Sequence, residues 1–481
     1  MPSISKSIIV NVEANYIEQY LGKKGFIRSE EETGQELKYW IDNLLSAGKI
    51  NIEDFEEFLF EELFWGKRKT IHIYKLDKVK GYKYPEDWEN PLNEYYNINS
   101  INFCDILGKI PNTTEPRKIV AVQSEENQKG ELIRIRLLFA CFIQLNGEGG
   151  YKDSVAYIPV ELDFEREIML IKAWTRQHIA HEEHKAENLL IHIKKLMCIE
   201  FKIKVKNFMS KHKKALFLMS KNLIDEVYSH VPAYNKIDYL VKGIKDFEIE
   251  MVNALPLKNV NEDEKGNYLL NKGVMNFEAE IRNILECLAI SDYFYDKNFD
   301  EIWNLGLEAV VARVKFNDEE KVLTSLSGEN TSAPIFCTKT FMALKNRMEE
   351  TKQIEILWVT MERKKGNLNL KFDASNAEHL EILIRYGIRF NERDMNSALE
   401  IYEKALAVFR DYYQYEVIQG ADRKMVEKIP EAAFREAIAN ALIHRVWDID
   451  SHIRVSMFDD KIEVVSPGGL PAGITAEEYL S

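Results

Sequence analysis

The sequence has few cysteines, and none of them is paired by spacing. Five cysteines are scattered through 481 residues, and no Cys-x-x-Cys motif occurs. Isolated thiols are typical of a reducing compartment, so we expect neither a disulfide framework nor a structural zinc site. Long apolar runs and a signal-peptide pattern are also lacking. We therefore expect a cytoplasmic protein that has no membrane partner.

Basic residues are also fewer than acidic residues. The chain has 64 Lys and Arg against 78 Asp and Glu, which gives a net charge of −14. The protein as a whole is therefore not drawn to nucleic acid, and any contact with DNA needs a local basic surface. Hydrophobic residues make up 46% of the chain, which is ample for building cores, and the length suggests several domains.

The spacing of apolar residues predicts a multidomain α+β protein. Residues 1–112 have mostly helical spacing, and residues 113–260 have an antiparallel β meander followed by helices. Residues 261–420 combine helices with a hairpin, and residues 421–481 have the pattern of an α/β segment. The glycines of residues 147–150 are interpreted as a hairpin turn, because a strand rather than a helix follows them.

Shorter patterns predict individual elements. Alternation predicts meander strands at residues 119–122, 132–145, 155–160 and 168–174. The prolines and asparagines of residues 84–112 indicate an irregular connection that precedes the meander strands. A second hairpin is expected over residues 354–372, and Asp373 or Ser375 could cap a helix after it.

A group of histidines is the first candidate site. His178, His181 and His184 are three residues apart. On a helix, His181 and His184 would be neighbours that could share a metal ion. A hydrolytic zinc helix needs His-Glu-x-x-His, and His181-Glu182-Glu183-His184 is one residue shorter. A solvated polar helix face and a metal site are therefore both open.

A lysine-rich stretch is the second candidate site. It spans residues 194–221 and contains nine lysines, a single acid and three phenylalanines. Such local enrichment could contact phosphates of DNA. It also fits a charged outer helix face whose phenylalanines face the core, or an edge strand protected by lysines. The lysines that we predict to contact nucleic acid are Lys202, Lys204, Lys206, Lys211, Lys213 and Lys214.

The strongest candidate lies near the C-terminus, where residues 430–445 have the spacing of an amphipathic helix. At 100° per residue, Glu436, Asn440 and His444 fall on one stripe, and the apolar side chains fall on another. A carboxylate can orient water for attack on a γ-phosphate, and an amide oxygen can bind Mg²⁺.

A predicted hairpin and a glycine-rich segment follow this helix. Residues 453–458 and 462–465 form two strands, and residues 466–474 contain Gly468 and Gly469. Helix, hairpin and glycine-rich loop in this order resemble the opening of a GHKL (histidine-kinase-like) ATP-binding domain. The version most similar is found in predicted bacterial ATP-binding transcriptional regulators, and the fold that it implies here is a partial α/β sandwich.

The resemblance implies roles for particular residues. Glu436 would be the catalytic carboxylate, and Asn440 would be the Mg²⁺ ligand. Asn440, His444, Gly468 and Gly469 would lie in the ATP-binding site. The second glycine-rich box of the family would lie past the last residue, so we do not expect ATP hydrolysis from this chain alone.

These observations predict a nucleotide-responsive regulatory protein that binds ATP and Mg²⁺ and is coupled to DNA. Since GHKL domains often dimerise, a homodimer is an expected assembly. A first alternative is a non-enzymatic interaction or phage-defence protein, in which residues 1–420 carry the function. A second alternative is a metal-dependent hydrolase or nuclease that uses the histidines.

Overall fold

The computed structural model divides the chain into two compact units, Met1–Tyr402 and Glu403–Ser481. The residues that the structure describes are 3–29, 35–77, 81–208, 210–241, 243–255, 260–262, 268–270, 275–295, 299–317, 323–328, 334–362, 367–385, 395–400, 414–419, 422–427, 454–457 and 462–465.

The first unit contains fifteen described strands. In chain order they are Thr70–Leu76 (β1), Phe103–Cys104 (β2), Arg117–Glu126 (β3), Leu132–Gly147 (β4), Gly150–Asp163 (β5), Ile168–Ala173 (β6), Val205–Lys206 (β7), Val260–Glu262 (β8), Tyr268–Leu270 (β9), Met275–Asn276 (β10), Ala309–Asn317 (β11), Leu323–Ser327 (β12), Ile356–Met361 (β13), Leu368–Asp373 (β14) and Leu380–Arg385 (β15).

Twelve of these strands form one antiparallel sheet. Its order is β12-β11-β13-β14-β15-β1-β6-β5-β4-β3-β2, and β7 pairs with β1 beside this path. Strands β8, β9 and β10 form a separate three-stranded sheet. Strand β1 therefore joins the meander β2–β6 to the later strands β11–β15.

The meander confirms the prediction made from alternation. Strands β4 and β5 pair along their whole length, from Arg134 opposite Asp163 to Gly147 opposite Gly150. Residues 147–150 therefore form a hairpin turn, in which Gly149 and Gly150 have φ values of +93° and +137°. A side chain is strained at such values, which explains why glycine is used there.

The described helices of the first unit cover the sheet or pack beside it. They are Lys6–Val12 (α1), Ala14–Lys23 (α2), Leu37–Ser46 (α3), Ile52–Phe64 (α4), Pro85–Tyr96 (α5), Ala186–Ile199 (α6), Lys211–Ser229 (α7), Ile237–Val241 (α8), Ile244–Ala254 (α9), Phe277–Tyr293 (α10), Phe299–Trp303 (α11) and Lys339–Thr351 (α12). Within the part of the chain that the structure describes, no helix could span a membrane.

Alternation along β6 places helices on both faces of the sheet. Met169 and Ile171 are fully or almost fully buried in the main core, together with Leu190 of α6. Lys172 points the other way, where its ammonium group lies 3.9 Å from the ring centroid of Phe64 at the end of α4. At β6 the sheet therefore lies between two helices, α6 and α4.

Two predictions about local structure are wrong. Asp373 and Ser375 do not cap a helix, because residues 380–385 continue the sheet as β15 and pair with β1 and β14. Their short apolar run fits a buried strand as well as a helix. The connection expected at residues 84–112 is not wholly irregular, because it includes α5, which begins at Pro85 with a capping box formed by Tyr84 and Asp87.

The sheet pairing also bears on the predicted division into parts. Strands from residues 1–112, 113–260 and 261–420 all enter the twelve-stranded sheet. The boundaries proposed at residues 112, 260 and 420 stay predictions about domains. The structure shows an α+β protein with a large antiparallel sheet.

The described residues of the second unit form two hairpins. Gln414–Gln419 (β16) pairs with Asp422–Glu427 (β17), and Arg454–Met457 (β18) pairs with Ile462–Val465 (β19).

Candidate functional site

The predicted C-terminal site lies mostly outside the described residues. Glu436, Asn440, His444, Gly468 and Gly469 all belong to the residues that the structure does not describe. Their assignments stay predictions.

The structure does describe the two strands of the hairpin that follows Glu436, Asn440 and His444 and precedes Gly468 and Gly469. Arg454 is opposite Val465, and Met457 is opposite Ile462. The predicted hairpin is confirmed in the position of its two strands, which pair antiparallel. It accounts for the middle element of the series helix, hairpin and glycine-rich loop.

The three histidines do not share a helix, and that interpretation is wrong. Residues Glu182–His184 form a short 3-10 turn, and α6 begins only at Ala186. His178 has a φ of +60°, which interrupts regular structure before the turn. His181 and His184 still meet, with ring centroids 5.4 Å apart.

Gln144 organises these two histidine rings. Nε2 of His181 lies 3.0 Å from the Gln144 side-chain oxygen, and the Gln144 backbone N–H donates to Nδ1 of His184 over 3.1 Å. Burial lowers the pKa of His184, which suits a neutral ring that accepts a hydrogen bond. Among the described residues, no group of three or more His, Cys, Asp or Glu could hold a metal ion. The geometry therefore gives the metal-dependent alternative no support.

The predicted DNA-contacting lysines lie on a loop, strand β7 and the start of α7. Lys206 pairs with Asp77 over 3.0 Å, and Lys213 pairs with Glu355 over 3.0 Å. Lys202 has a φ of +56° and is exposed, as are Lys204, Lys206, Lys211 and Lys214. The stretch is therefore a partly neutralised charged surface, and its contact with nucleic acid stays a prediction.

The phenylalanines of this stretch face inward. Phe201 is 4% exposed and Phe217 is 5% exposed. Phe208 is half-buried and stacks on His212 with centroids 5.2 Å apart. The spacing of Phe201 and Phe217 thus reflects core packing, whereas Phe208 is partly exposed.

A cluster of ionisable side chains at the middle of the sheet was not expected from the sequence. The rings of His72 on β1 and His379, just before β15, stack with centroids 3.9 Å apart. Nε2 of His72 lies 3.5 Å from a carboxylate oxygen of Glu381, and Nδ1 lies 3.3 Å from the hydroxyl of Tyr74. Burial, helped by the adjacent His72 ring, lowers the pKa of His379 to about 4.

This cluster is a poor nucleophilic site. Burial raises the pKa of Tyr74 far above neutrality, so its hydroxyl stays protonated. The hydrogen bond from His72 lowers the pKa of Glu381, so this carboxylate stays charged. The sequence hint is that His72 and Tyr74 share one face of β1, but His379 lies more than 300 residues away in the chain and meets them only through the sheet register.

An open cleft of about 430 Å³ lies beside strands β2, β3 and β4. Its walls include Arg134, which pairs with Glu125 over 3.1 Å, and the thiol-bearing Cys104. Cys104 is exposed as a residue, but its sulfur is turned inward toward Glu56, and this desolvation raises the pKa of the thiol to about 12. The cleft therefore offers no reactive thiolate near neutral pH.

Comparison with known proteins gives a match for the end of the chain. Residues 450–481 match the family model described as "Putative ATP-dependent DNA helicase recG C-terminal". This is an ATPase-like C-terminal domain, which agrees with the GHKL-like segment recognised from the sequence. The match includes the strand pair β18–β19. No curated protein matches the chain.

Proposed function

We propose that this protein is a nucleotide-responsive regulatory protein whose C-terminal segment binds ATP together with Mg²⁺. The observation that carries the proposal is the family match over residues 450–481, which contains the predicted hairpin. The match begins close behind the stripe of Glu436, Asn440 and His444.

The chemistry of these side chains supports the proposal. The amide oxygen of Asn440 is a hard ligand of the kind that Mg²⁺ takes between phosphate oxygens. The carboxylate of Glu436 can orient a water molecule, and Gly468 and Gly469 allow the backbone to approach a nucleotide closely. His444 adds a hydrogen-bond donor on the same predicted stripe.

A link with DNA is the second part of the proposal. The description of the matching family names a DNA helicase, and this supports a role near nucleic acid. The exposed lysines of residues 202–214 are candidate contacts, since phosphate contacts need only positive charge. Asp77 pairs with Lys206 and Glu355 pairs with Lys213, which weakens these two contacts.

Calorimetric titration with a non-hydrolysable ATP analogue tests the nucleotide site. We expect wild-type protein to bind the analogue in the presence of Mg²⁺ with micromolar affinity, and Asn440→Ala to lose at least tenfold, because the metal loses a ligand. Removing Mg²⁺ with a chelator should weaken the wild type to the level of Asn440→Ala. Asn222→Ala, at an exposed position of α7, is the matched control and should bind like wild type.

The proposal fails if the wild type binds no analogue, both as this chain and with residues added after Ser481. It also fails if Asn440→Ala binds as well as the wild type in the presence of Mg²⁺, since the metal ligand would then lie elsewhere.

A further inference from the structure

Four cationic side chains gather at one end of the central strands. Lys67, Arg68 and Lys69 lead into β1, and Arg176 lies three residues beyond the end of β6. Since β1 and β6 are antiparallel, with Thr70 opposite Ala173, the residues before β1 lie beside those after β6. These four residues and Trp174 are called the Trp174 cation cluster.

The indole ring of Trp174 holds two of the cations. The ammonium nitrogen of Lys67 lies 4.5 Å from the ring centroid, and the guanidinium carbon of Arg176 lies 4.7 Å from it. The two charges are therefore within about 9 Å of each other. Arg176 is positioned by donating to the hydroxyl of Ser154 over 3.0 Å and to the carbonyl of Val155 over 3.3 Å.

Arg68 is the fully buried member of the cluster. Its two terminal nitrogens donate to the backbone carbonyl and the side-chain oxygen of Asn11, over 3.0 and 2.8 Å. Its Nε is buried without a hydrogen-bond partner in the described structure. Both of its partners are neutral, so the positive charge of Arg68 is not balanced by a carboxylate.

The two arginines of the cluster lack a carboxylate partner in the described part of the chain. Glu13 lies 3.4 Å from Lys67, and in the described part of the chain no carboxylate lies within ion-pair distance of Arg68 or Arg176. Burial lowers the pKa of Lys67. Glu13 opposes this shift, and the guanidinium groups of Arg68 and Arg176 add to it. Burial also lowers the pKa of Lys69, where Glu13 opposes the shift and the neighbouring Lys67 adds to it.

Such crowding of like charges does not help the fold. Cations placed close together in a partly desolvated position repel one another, and an acid beside Lys67 does not neutralise Arg68 and Arg176 as well. The arrangement also runs against the composition of a chain with a net charge of −14. An anionic ligand would relieve both costs.

We propose that the Trp174 cation cluster binds phosphate groups. Arginine and lysine together provide the forked donors and the point charges that phosphate oxygens accept. Lys67 is 23% exposed and Trp174 is half-buried, so the ligand approaches from solvent. A nucleic-acid strand and a small phosphate compound share this chemistry, and the experiment separates these two sources.

The test is fluorescence anisotropy with a labelled oligothymidylate as the probe, titrated with protein at several salt concentrations. The double variant Lys67→Gln/Arg176→Gln should bind at least tenfold more weakly at about 0.1 M salt, where exposed charges are only partly screened. Each phosphate contact to a single strand contributes about 0.7 to the slope of log K against log salt, so the slope should fall by about 1.4. The matched control is Lys49→Gln/Lys129→Gln, which removes the same charge from exposed positions outside both basic regions and should change neither value.

Glu13→Gln is the complementary variant. It removes the acid that competes for Lys67, so we expect binding to tighten several-fold, an effect that a damaged fold cannot produce. Equal loss in both double variants, or unchanged or weaker binding by Glu13→Gln, would overturn the proposal. If the Lys67/Arg176 variant does not fold, the Glu13→Gln result decides alone.

Inorganic pyrophosphate, measured by calorimetry, is the second arm. Binding of pyrophosphate that tightens in Glu13→Gln, without binding of the oligothymidylate, assigns the cluster to a small phosphate compound. Binding of neither probe overturns the proposal. Asn440→Ala should bind both probes like wild type, so this result is independent of the proposed ATP site.

Discussion

Replacement of Arg68 by methionine tests whether the hydrogen bonds of this side chain stabilise the packing of helix α1 in the first unit. Asn11 lies near the end of α1 and is 1% exposed. Its side-chain amide donates to the carbonyls of Ser7 and Val155, and its two oxygens accept from Arg68. Arg68 and Asn11 together therefore fasten α1 to strand β5 and to the start of β1.

The expected loss follows from these contacts. A hydrogen bond from a charged donor contributes about 1.5–3 kcal/mol, and Arg68 makes two such bonds. Methionine fills a similar volume and relieves the burial of an unbalanced charge, which returns part of this energy. It also leaves two buried oxygens of Asn11 with fewer donors. We expect Arg68→Met to lower the free energy of unfolding by about 3 kcal/mol.

The assay is urea unfolding followed by far-ultraviolet circular dichroism. Lys23→Met, at an exposed position of α2, is the matched control and should stay within about 0.5 kcal/mol of wild type. A double-mutant cycle with Asn11→Ala isolates the bond between the two side chains, and its coupling energy should be about 1.5–3 kcal/mol. A stable Arg68→Met protein, or additive single variants, would show that this contact does not fasten α1.

Two further predictions concern buried charges. Lys345→Ala should destabilise the protein by about 3–5 kcal/mol in thermal or urea unfolding. The reason is that Glu286, which is 3% exposed and lies 2.5 Å from the ammonium group of Lys345, loses this partner. Lys345→Arg should retain most of the stability. The pKa of His379 falls from 6.5 to about 4 on folding, so the unfolded chain binds more protons between these values. The contribution of neutral His379 to stability should therefore be fully present above about pH 6.5 and should be lost as the pH drops toward 4. His379→Asn should flatten this part of a profile of the urea midpoint against pH. An unchanged profile would contradict this assignment.

The sequence predicts the meander because its signal is local. Strands β4 and β5 are long and apolar, and the glycines between them can form only a turn. Strand β15 was missed because six residues of mixed apolar and charged character fit a helix or a strand equally well. The position of β1 between β6 and β15 depends on partners about 100 and 310 residues away, which no local pattern encodes.

The same distinction separates the sites. The order of helix, hairpin and glycine-rich loop is written in consecutive residues, so the C-terminal resemblance is visible in the sequence alone. Lys67-Arg68-Lys69 and Trp174-Thr175-Arg176 are also visible as short basic segments. Their union into one cluster requires the antiparallel register of β1 and β6, which the fold supplies. Phe201 fits the alternative in which the phenylalanines of the basic stretch face the core.

The two proposals place phosphate-binding sites in separate units. Two sites that act independently do not make a protein nucleotide-responsive, because binding at one site must change binding at the other. A nucleotide can change strand binding only if it has different affinities for states that bind the strand differently. By thermodynamic reciprocity, the strand must then change the affinity for the nucleotide by the same factor. Titration of the ATP analogue with and without a saturating oligothymidylate measures this factor. A factor that disappears in Asn440→Ala and in Lys67→Gln/Arg176→Gln would join the two sites into one regulatory mechanism, whereas a factor of one would leave them as separate activities of one chain.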